Sequence, residues 1–261
     1  MGKKKRITDA ERRHMTYLRR KGLAVGKVYE TKLLKARRAE VKRVLLRCRD
    51  YHDPEAWPAV IDVTLDESGY FFDWMKGLYL SAGLPRAKSL TRDLSRSKAE
   101  NPSGLWEMEL ERYALERAGS NIVSVSGSLK EELVKLLRIR MDVNDAVGIE
   151  KLTQQVFQDY GKIAEWMVRR IAQTETMIGM AEAGAIAADS LDVGFTKQWC
   201  CAHIRTRDSH LAMEKVPPID KDDYFEVGPE RARMRWPHDI SMGAPAGEII
   251  NCACDCIRIP K

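Results

Sequence analysis

Long apolar runs are missing from this chain. No stretch approaches the ~20 apolar residues of a membrane-spanning helix, which excludes that class. The N-terminus lacks the apolar core of a secretory signal: Met1-Gly2-Lys3-Lys4-Lys5-Arg6 leads into more charge. Folding in a cytoplasm that keeps thiols reduced is therefore expected. No phosphate-cradling glycine loop and no nucleophile elbow occurs, so the common signatures of nucleotide hydrolysis and of α/β-type ester hydrolysis are absent. There is no internal repeat. Cysteine and histidine are scarce, six and five in 261 residues. Yet five of the cysteines and three of the histidines fall between Gln198 and Cys256.

Charge is unevenly spread. The net charge is +6, but residues 1–50 hold 18 Lys and Arg against 5 Asp and Glu. A basic arm on a mildly acidic body suits a partner that presents phosphate or acidic side chains. The candidate phosphate contacts are Lys3, Lys4, Lys5, Arg6, Arg12, Arg13, Arg19, Arg20 and Lys21. The same arm read more simply is a solvated helix face. It lacks the interleaved aromatics of a base-stacking surface and any groove-reading module.

The periodicity predicts an α+β chain, mainly helical in its N-terminal and middle regions, with a small loop-rich C-terminal unit containing β-strands. Residues 8–48 read as helix, capped at Thr8 or Asp9, with Gly22 and Gly26 predicting a break into two. Tyr51-His52-Asp53-Pro54 ends this arm, residues 1–50. A second helical region spans 51–121. It comprises one unit from Pro58 to Leu84, a polar linker from Ser89 to Gly104, and a helix from Trp106 to Ala118 that Gly119-Ser120-Asn121 stops. The third region is 122–261. Ile122-Val123-Ser124-Val125 is a strand candidate, and Ser128 with Glu131 has the form of a capping box. Helices then occupy 128–188, the last from about Gly148 to Ala188, with small residues from Gly179 onward that allow close backbone approach. In the loop-and-strand unit 189–261, strands are expected at Phe195–Trp199 and Gly247–Ile259.

Cys252, Cys254 and Cys256 alternate, so on an extended strand they share one face. Same-face neighbours there sit ~7 Å apart, too far for a comfortable disulfide. A second segment bearing Cys200, Cys201, His203 and His210 could meet them. Four such sulfur and nitrogen donors make a tetrahedral structural zinc (Zn2+) site, with Cys200, Cys201, His203, His210, Cys252 and Cys254 as candidates. Burial as small hydrophobes is the plainer alternative. The polar group Arg205, Arg207, Asp208 and His210 reads as an Arg–carboxylate network, with Glu175 or Glu248 as partner. As an enzyme it would use His210 as a general base oriented by Asp208.

Four motifs in order carry a resemblance. They are Arg170-Ile171-Ala172-Gln173-Thr174-Glu175-Thr176, Lys197-Gln198-Trp199, Arg207-Asp208-Ser209-His210, and Asn251-Cys252-Ala253-Cys254. Pro237 and Gly243-Ala244-Pro245 lie between the last two. From about 128 to 256 the chain resembles the phage Mu protein F-like minor head proteins. It departs from them at Gln173 and Ala253, where the family often has Arg, and in its additional Cys200, Cys201, His203 and Cys256. The resemblance implies a non-enzymatic head morphogenesis protein of a tailed phage or prophage. Such a protein is assembled in the host cytoplasm and carried inside the virion head near the portal vertex. It implies as partners the portal protein, reached through the 51–121 region, the major capsid or scaffolding protein, and packaged double-stranded DNA through the basic arm. The motif residues it marks are Arg170, Thr174, Glu175, Thr176, Trp199, Arg207, His210, Asn251, Cys252 and Cys254. A different reading is a metal-dependent hydrolase or toxin-like transferase built on Arg207, His210 and the cysteines. Family members can be fused to toxin domains, and none is expected here because Lys261 follows the last motif closely. A third reading is a host nucleic-acid-binding protein.

Overall fold

A computed structural model describes residues 7–50, 56–65, 70–94, 103–143, 149–191, 193–204 and 206–261. Its helices are α1 (Asp9–Asp50), α2 (Trp57–Leu65), α3 (Tyr70–Leu94), α4 (Ser103–Val143), α5 (Ile149–Asp189), α6 (Asp208–Lys215) and α7 (Ala246–Ile249). The strands are β1 (Phe195–Cys200), β2 (Ile219–Asp220), β3 (Phe225–Val227), β4 (Ala232–Met234) and β5 (Asp255–Pro260). The chain is thus α+β, helical through its N-terminal and middle parts, with its sheet near the C-terminus. Among the described residues no helix is long and apolar enough to cross a membrane. Two compact units form. The first gathers 1–27, 76–113 and 172–261, and the second gathers 28–75 and 114–171.

In the first unit α1 opens on a reciprocal cap. The Thr8 backbone N–H donates to Glu11 Oε2 at 2.7 Å, and the Glu11 N–H donates to Thr8 Oγ1 at 3.2 Å. Gly22 and Gly26 do not break this helix. A Cβ on Gly26 would stand 2.5 Å from Thr176 Oγ1, and one on Gly22 would stand 2.0 Å from Met180 Sδ. The two glycines let α1 approach α5, and that packing offsets their weak helix propensity. The same device recurs between α3 and α5, where a Cβ on Gly83 would meet the Ala183 Cβ at 2.9 Å and the Gly179 carbonyl at 3.1 Å. The small residues expected to permit close approach therefore do so. Ala87, Leu90, Trp106, Leu110, Ala183 and Phe195 fill one core cluster of this unit.

The sheet order is β2-β1-β5, antiparallel throughout, with Trp199 opposite Cys256 and Cys200 opposite Asp255. Cys200, Ile257 and Ile259 pack with Met15, Leu18, Ala82, Met177 and Met180. Beneath them Arg86 is buried, 3.4 Å from Asp255, and its Nη2 donates to the Cys256 carbonyl at 3.3 Å. A separate hairpin pairs β3 with β4.

The second unit has its own core of Val41, Val44, Leu45, Trp57, Ile61, Leu133, Leu137, Val156 and Tyr160. Tyr70 and Arg37 both contact the fully buried Glu40 there, Arg37 at 2.6 Å.

Several predicted boundaries are corrected. Pro58–Leu84 is not one helical unit: α2 ends at Leu65, α3 starts at Tyr70 and carries Pro85 within it, and Ser89 to Leu94 is helix. Gly119-Ser120-Asn121, the strand candidate Ile122–Val125 and the Ser128 box all lie inside α4. Ending a helix strands four carbonyls, whereas passing a glycine costs about 1 kcal/mol, so continuation wins. The strand expected from Gly247 begins only at Asp255, because 246–249 forms a helical turn. Residues 51–54 and Asn101-Pro102 lie outside the described residues.

Candidate functional site

His210 sits in the first turn of α6 and is 1% exposed. It is held on three sides. The Trp199 ring of β1 meets it edge-on, with centroids 5.1 Å apart and an interplanar angle of 71°. Phe225 backs Trp199 in the same manner at 5.3 Å. Glu248 of α7 places Oε2 2.9 Å from His210 Nε2, as a close ion-pair contact without the alignment of a good hydrogen bond. The Ser209 hydroxyl donates to that same Oε2 at 2.9 Å. Glu248 lies over Gly228, at φ +74°, where any Cβ would fall 2.5 Å from Oε1.

The other ring nitrogen, Nδ1, faces two sulfurs. Cys252 Sγ and Cys254 Sγ are each 3.4 Å from it. These three donor atoms lie within 4.8 Å of one another and could hold a metal ion. The backbone that sets them there is a turn, not a strand. Asn251 has φ +57°, a left-handed conformation that Asn tolerates, and its N–H donates to Thr174 Oγ1 at 3.1 Å. The Cys252 N–H bonds the Ile249 carbonyl at 3.2 Å, and the Cys254 N–H donates to Cys252 Sγ at 3.3 Å. The Arg207 guanidinium donates to the Ile250 carbonyl. His238, 1% exposed and at φ +73°, donates from Nε2 to the Cys254 carbonyl at 3.2 Å. Burial lowers the His238 pKa to about 4, so the ring is neutral.

A third sulfur lies beside this group: the Cys201 thiol donates to the His210 carbonyl at 3.2 Å. The thiols of Cys201 and Cys252 and the His210 ring all stabilise charge on Cys254, whose pKa is lowered accordingly. Those of Cys201 and Cys252 are raised by the same bonds and by burial.

The other candidates stand elsewhere. Cys200 points into the apolar cluster under the sheet, where burial raises its pKa to about 12. Cys256 packs with Ala181, Ala185 and Trp236. His203, at φ +57° and half exposed, pairs with Glu214 at 2.8 Å, and Arg12 pairs with the other Glu214 oxygen at 2.8 Å. The shared face expected for Cys252, Cys254 and Cys256 is therefore corrected: the first two precede the strand, and the third faces away from them. Of the carboxylates expected to partner the arginines, Glu248 meets His210 and Ser209, and Glu175 accepts from the Tyr79 hydroxyl at 2.6 Å. Asp208 is not what orients His210. Arg205 lies outside the described residues.

Of the helix motif, Thr174, Glu175 and Thr176 are buried in the first unit. Arg170 belongs to the second unit, where its guanidinium stacks 4.3 Å over the exposed Trp166 ring. In the basic arm, Lys3 to Arg6 lie outside the described residues. Arg13, Arg20 and Lys21 are exposed, Arg12 is tied to Glu214, and Arg19 is 7% exposed. Arg19 is therefore removed from the candidate phosphate contacts. His238 and Arg86 were not found by sequence reasoning, since neither sits in a patterned context.

Compared with protein-family models, with curated proteins and with solved structures, the chain matches none.

Proposed function

We propose that the chain is a minor head protein of a tailed phage or prophage, without enzymatic activity, that attaches to the portal inside the head and assists assembly and DNA delivery. One observation carries the reading. Residues of all four motifs, separated by up to eighty positions, meet in one constellation: Thr174 holds the Asn251 N–H, Arg207 holds the Ile250 carbonyl, Trp199 wedges His210, and His210 faces Cys252 and Cys254. Motifs matched by chance have no reason to share a site.

The basic arm supports the DNA contact. Arg12, Arg13, Thr16, Tyr17, Arg20, Lys21 and Ala24 line a shallow cavity of about 710 Å³ on α1. Arg13, Arg20 and Lys21 point cations to solvent there, and Tyr17, over which Lys21 sits at 4.8 Å, adds an aromatic face. Phosphate contacts of this kind are sequence-neutral and salt-dependent. Burial of His210 speaks against catalysis. The cavity of about 730 Å³ between the start of α1 and α6 is lined by Arg12, Gln198, His203, Glu214, Lys215 and apolar neighbours, and His210 is not among them.

The test is co-sedimentation of the full chain with assembled portal protein encoded beside it, with duplex DNA binding measured in parallel across salt. Portal binding that persists at high salt is expected. DNA affinity should fall with salt, and each of Arg13→Ala, Arg20→Ala and Lys21→Ala should lower the log–log slope by about 1. No portal binding at any salt would refute the reading.

A further inference from the structure

We infer that Cys201, His210, Cys252 and Cys254 form a structural zinc site, with His210 bound through Nδ1 and oriented by Glu248. The inference is independent of the function proposed above.

The geometry is the first argument. With Zn–S ≈ 2.3 Å and Zn–N ≈ 2.0–2.1 Å, a tetrahedral site has sulfur–nitrogen edges of about 3.6 Å and sulfur–sulfur edges of about 3.8 Å. Both sulfur–nitrogen edges here are 3.4 Å, and the three donor atoms lie within 4.8 Å of one another. An Nδ1–H hydrogen bond would favour one sulfur and leave the other displaced. Equal distances to two sulfurs place Nδ1 symmetrically between them.

The second argument is the far side of the ring. Glu248 Oε2 stands 2.9 Å from Nε2, on the side where a carboxylate commonly orients a metal-bound imidazole. Glu248 is itself fixed by Ser209 and by the glycine beneath it. The Cys254 N–H directed at Cys252 Sγ stabilises a sulfur that carries negative charge. Arg207, bonded to the Ile250 carbonyl two residues before Cys252, brings a positive charge to the turn that carries the thiolates.

The third argument is elimination. A closed structural site takes four ligands. Cys201 is the remaining cysteine beside the trio, its thiol on the His210 carbonyl at 3.2 Å. To bind the ion its sulfur would exchange the His210 carbonyl for the metal. Cys200 and Cys256 face apolar clusters, and His203 is engaged with Glu214. When bound, the ion would cross-link the end of β1, α6 and the turn before β5.

The full chain, purified without chelator, should contain one equivalent of zinc by elemental analysis. Cobalt replacing it should give thiolate charge-transfer bands and the intense visible bands of a tetrahedral ion. Cys252→Ser, Cys254→Ser and His210→Ala should each abolish this spectrum, and Cys201→Ser should weaken binding and shift the bands. Glu248→Gln should keep the spectrum and lower affinity about ten- to a hundredfold. Cys200→Ser and Cys256→Ser should leave one equivalent bound. If ligand variants fail to fold, cobalt titration of the unaltered chain still decides. A folded chain that takes up neither zinc nor cobalt overturns the site, and an unchanged spectrum and affinity in Cys201→Ser overturns the ligand set.

Discussion

Gly26→Ala sets two energies of opposite sign against each other. Alanine is the better helix former by about 1 kcal/mol, so propensity alone predicts a more stable protein. Packing predicts the reverse. The added methyl would stand 2.5 Å from Thr176 Oγ1 and 3.4 Å from its Cβ. Thr176 is fully buried, its hydroxyl donates to the Ala172 carbonyl at 2.6 Å, and a β-branched side chain has few other rotamers in a helix. Forcing a methyl into such a place costs about 1–3 kcal/mol. The sum is a net loss of up to about 2 kcal/mol. Gly161 supplies the control, for nothing lies within 4 Å of a Cβ there, inside α5. Gly161→Ala should therefore stabilise by about 0.5–1 kcal/mol. The assay is urea unfolding of the three chains, followed by circular dichroism. Combining Gly26→Ala with Thr176→Ala should recover part of the loss as a coupling energy. Equal stabilisation by Gly26→Ala and Gly161→Ala would refute the close approach of α1 and α5 at this point.

Two more outcomes follow from buried charge. Glu182 has its pKa raised from 4.5 to about 7, chiefly by burial. The folded state therefore keeps a proton that the unfolded chain releases, and this contribution is complete below pH 4.5 and lost as pH rises through 7. Glu182→Gln should remove it, raising stability at pH 8 relative to the parent chain by up to about 3 kcal/mol and leaving pH 4 little changed, as read by denaturant unfolding at both pH values. Arg86→Met should cost about 3–5 kcal/mol, because it leaves the buried Asp255 carboxylate without its ion-pair partner, and a loss below 1 kcal/mol would contradict that pairing.

What could be read along the chain was local. The cap, left between Thr8 and Asp9 and found at Thr8, the small-residue half of α5 and the position of β1 all follow from neighbours a few residues apart. What failed depended on distant partners. Gly22 and Gly26 resemble helix breaks unless Met180 and Thr176 are known to fill the space beside them. The Gly119–Val125 stretch has the composition of a stop and a strand, yet it lies within a helix that continues on both sides. At the site, the residue types were legible and the geometry was not. Alternating cysteines suggested one strand face, whereas the left-handed Asn251 and the turn after α7 bend Cys252 and Cys254 around His210. Glu248 was visible as a candidate partner, but for an arginine network and not for the histidine ring. His238, which supports the Cys254 carbonyl, gave no sequence signal because it acts through the backbone.

The central claim, that this chain is a component of a phage head, is tested most directly by quantitative mass spectrometry of heads purified from cells that produce the particle encoding it. The account predicts the chain in a few copies per head, bound in heads with and without DNA. Its absence from purified heads, while it remains abundant in the lysate, would contradict the account.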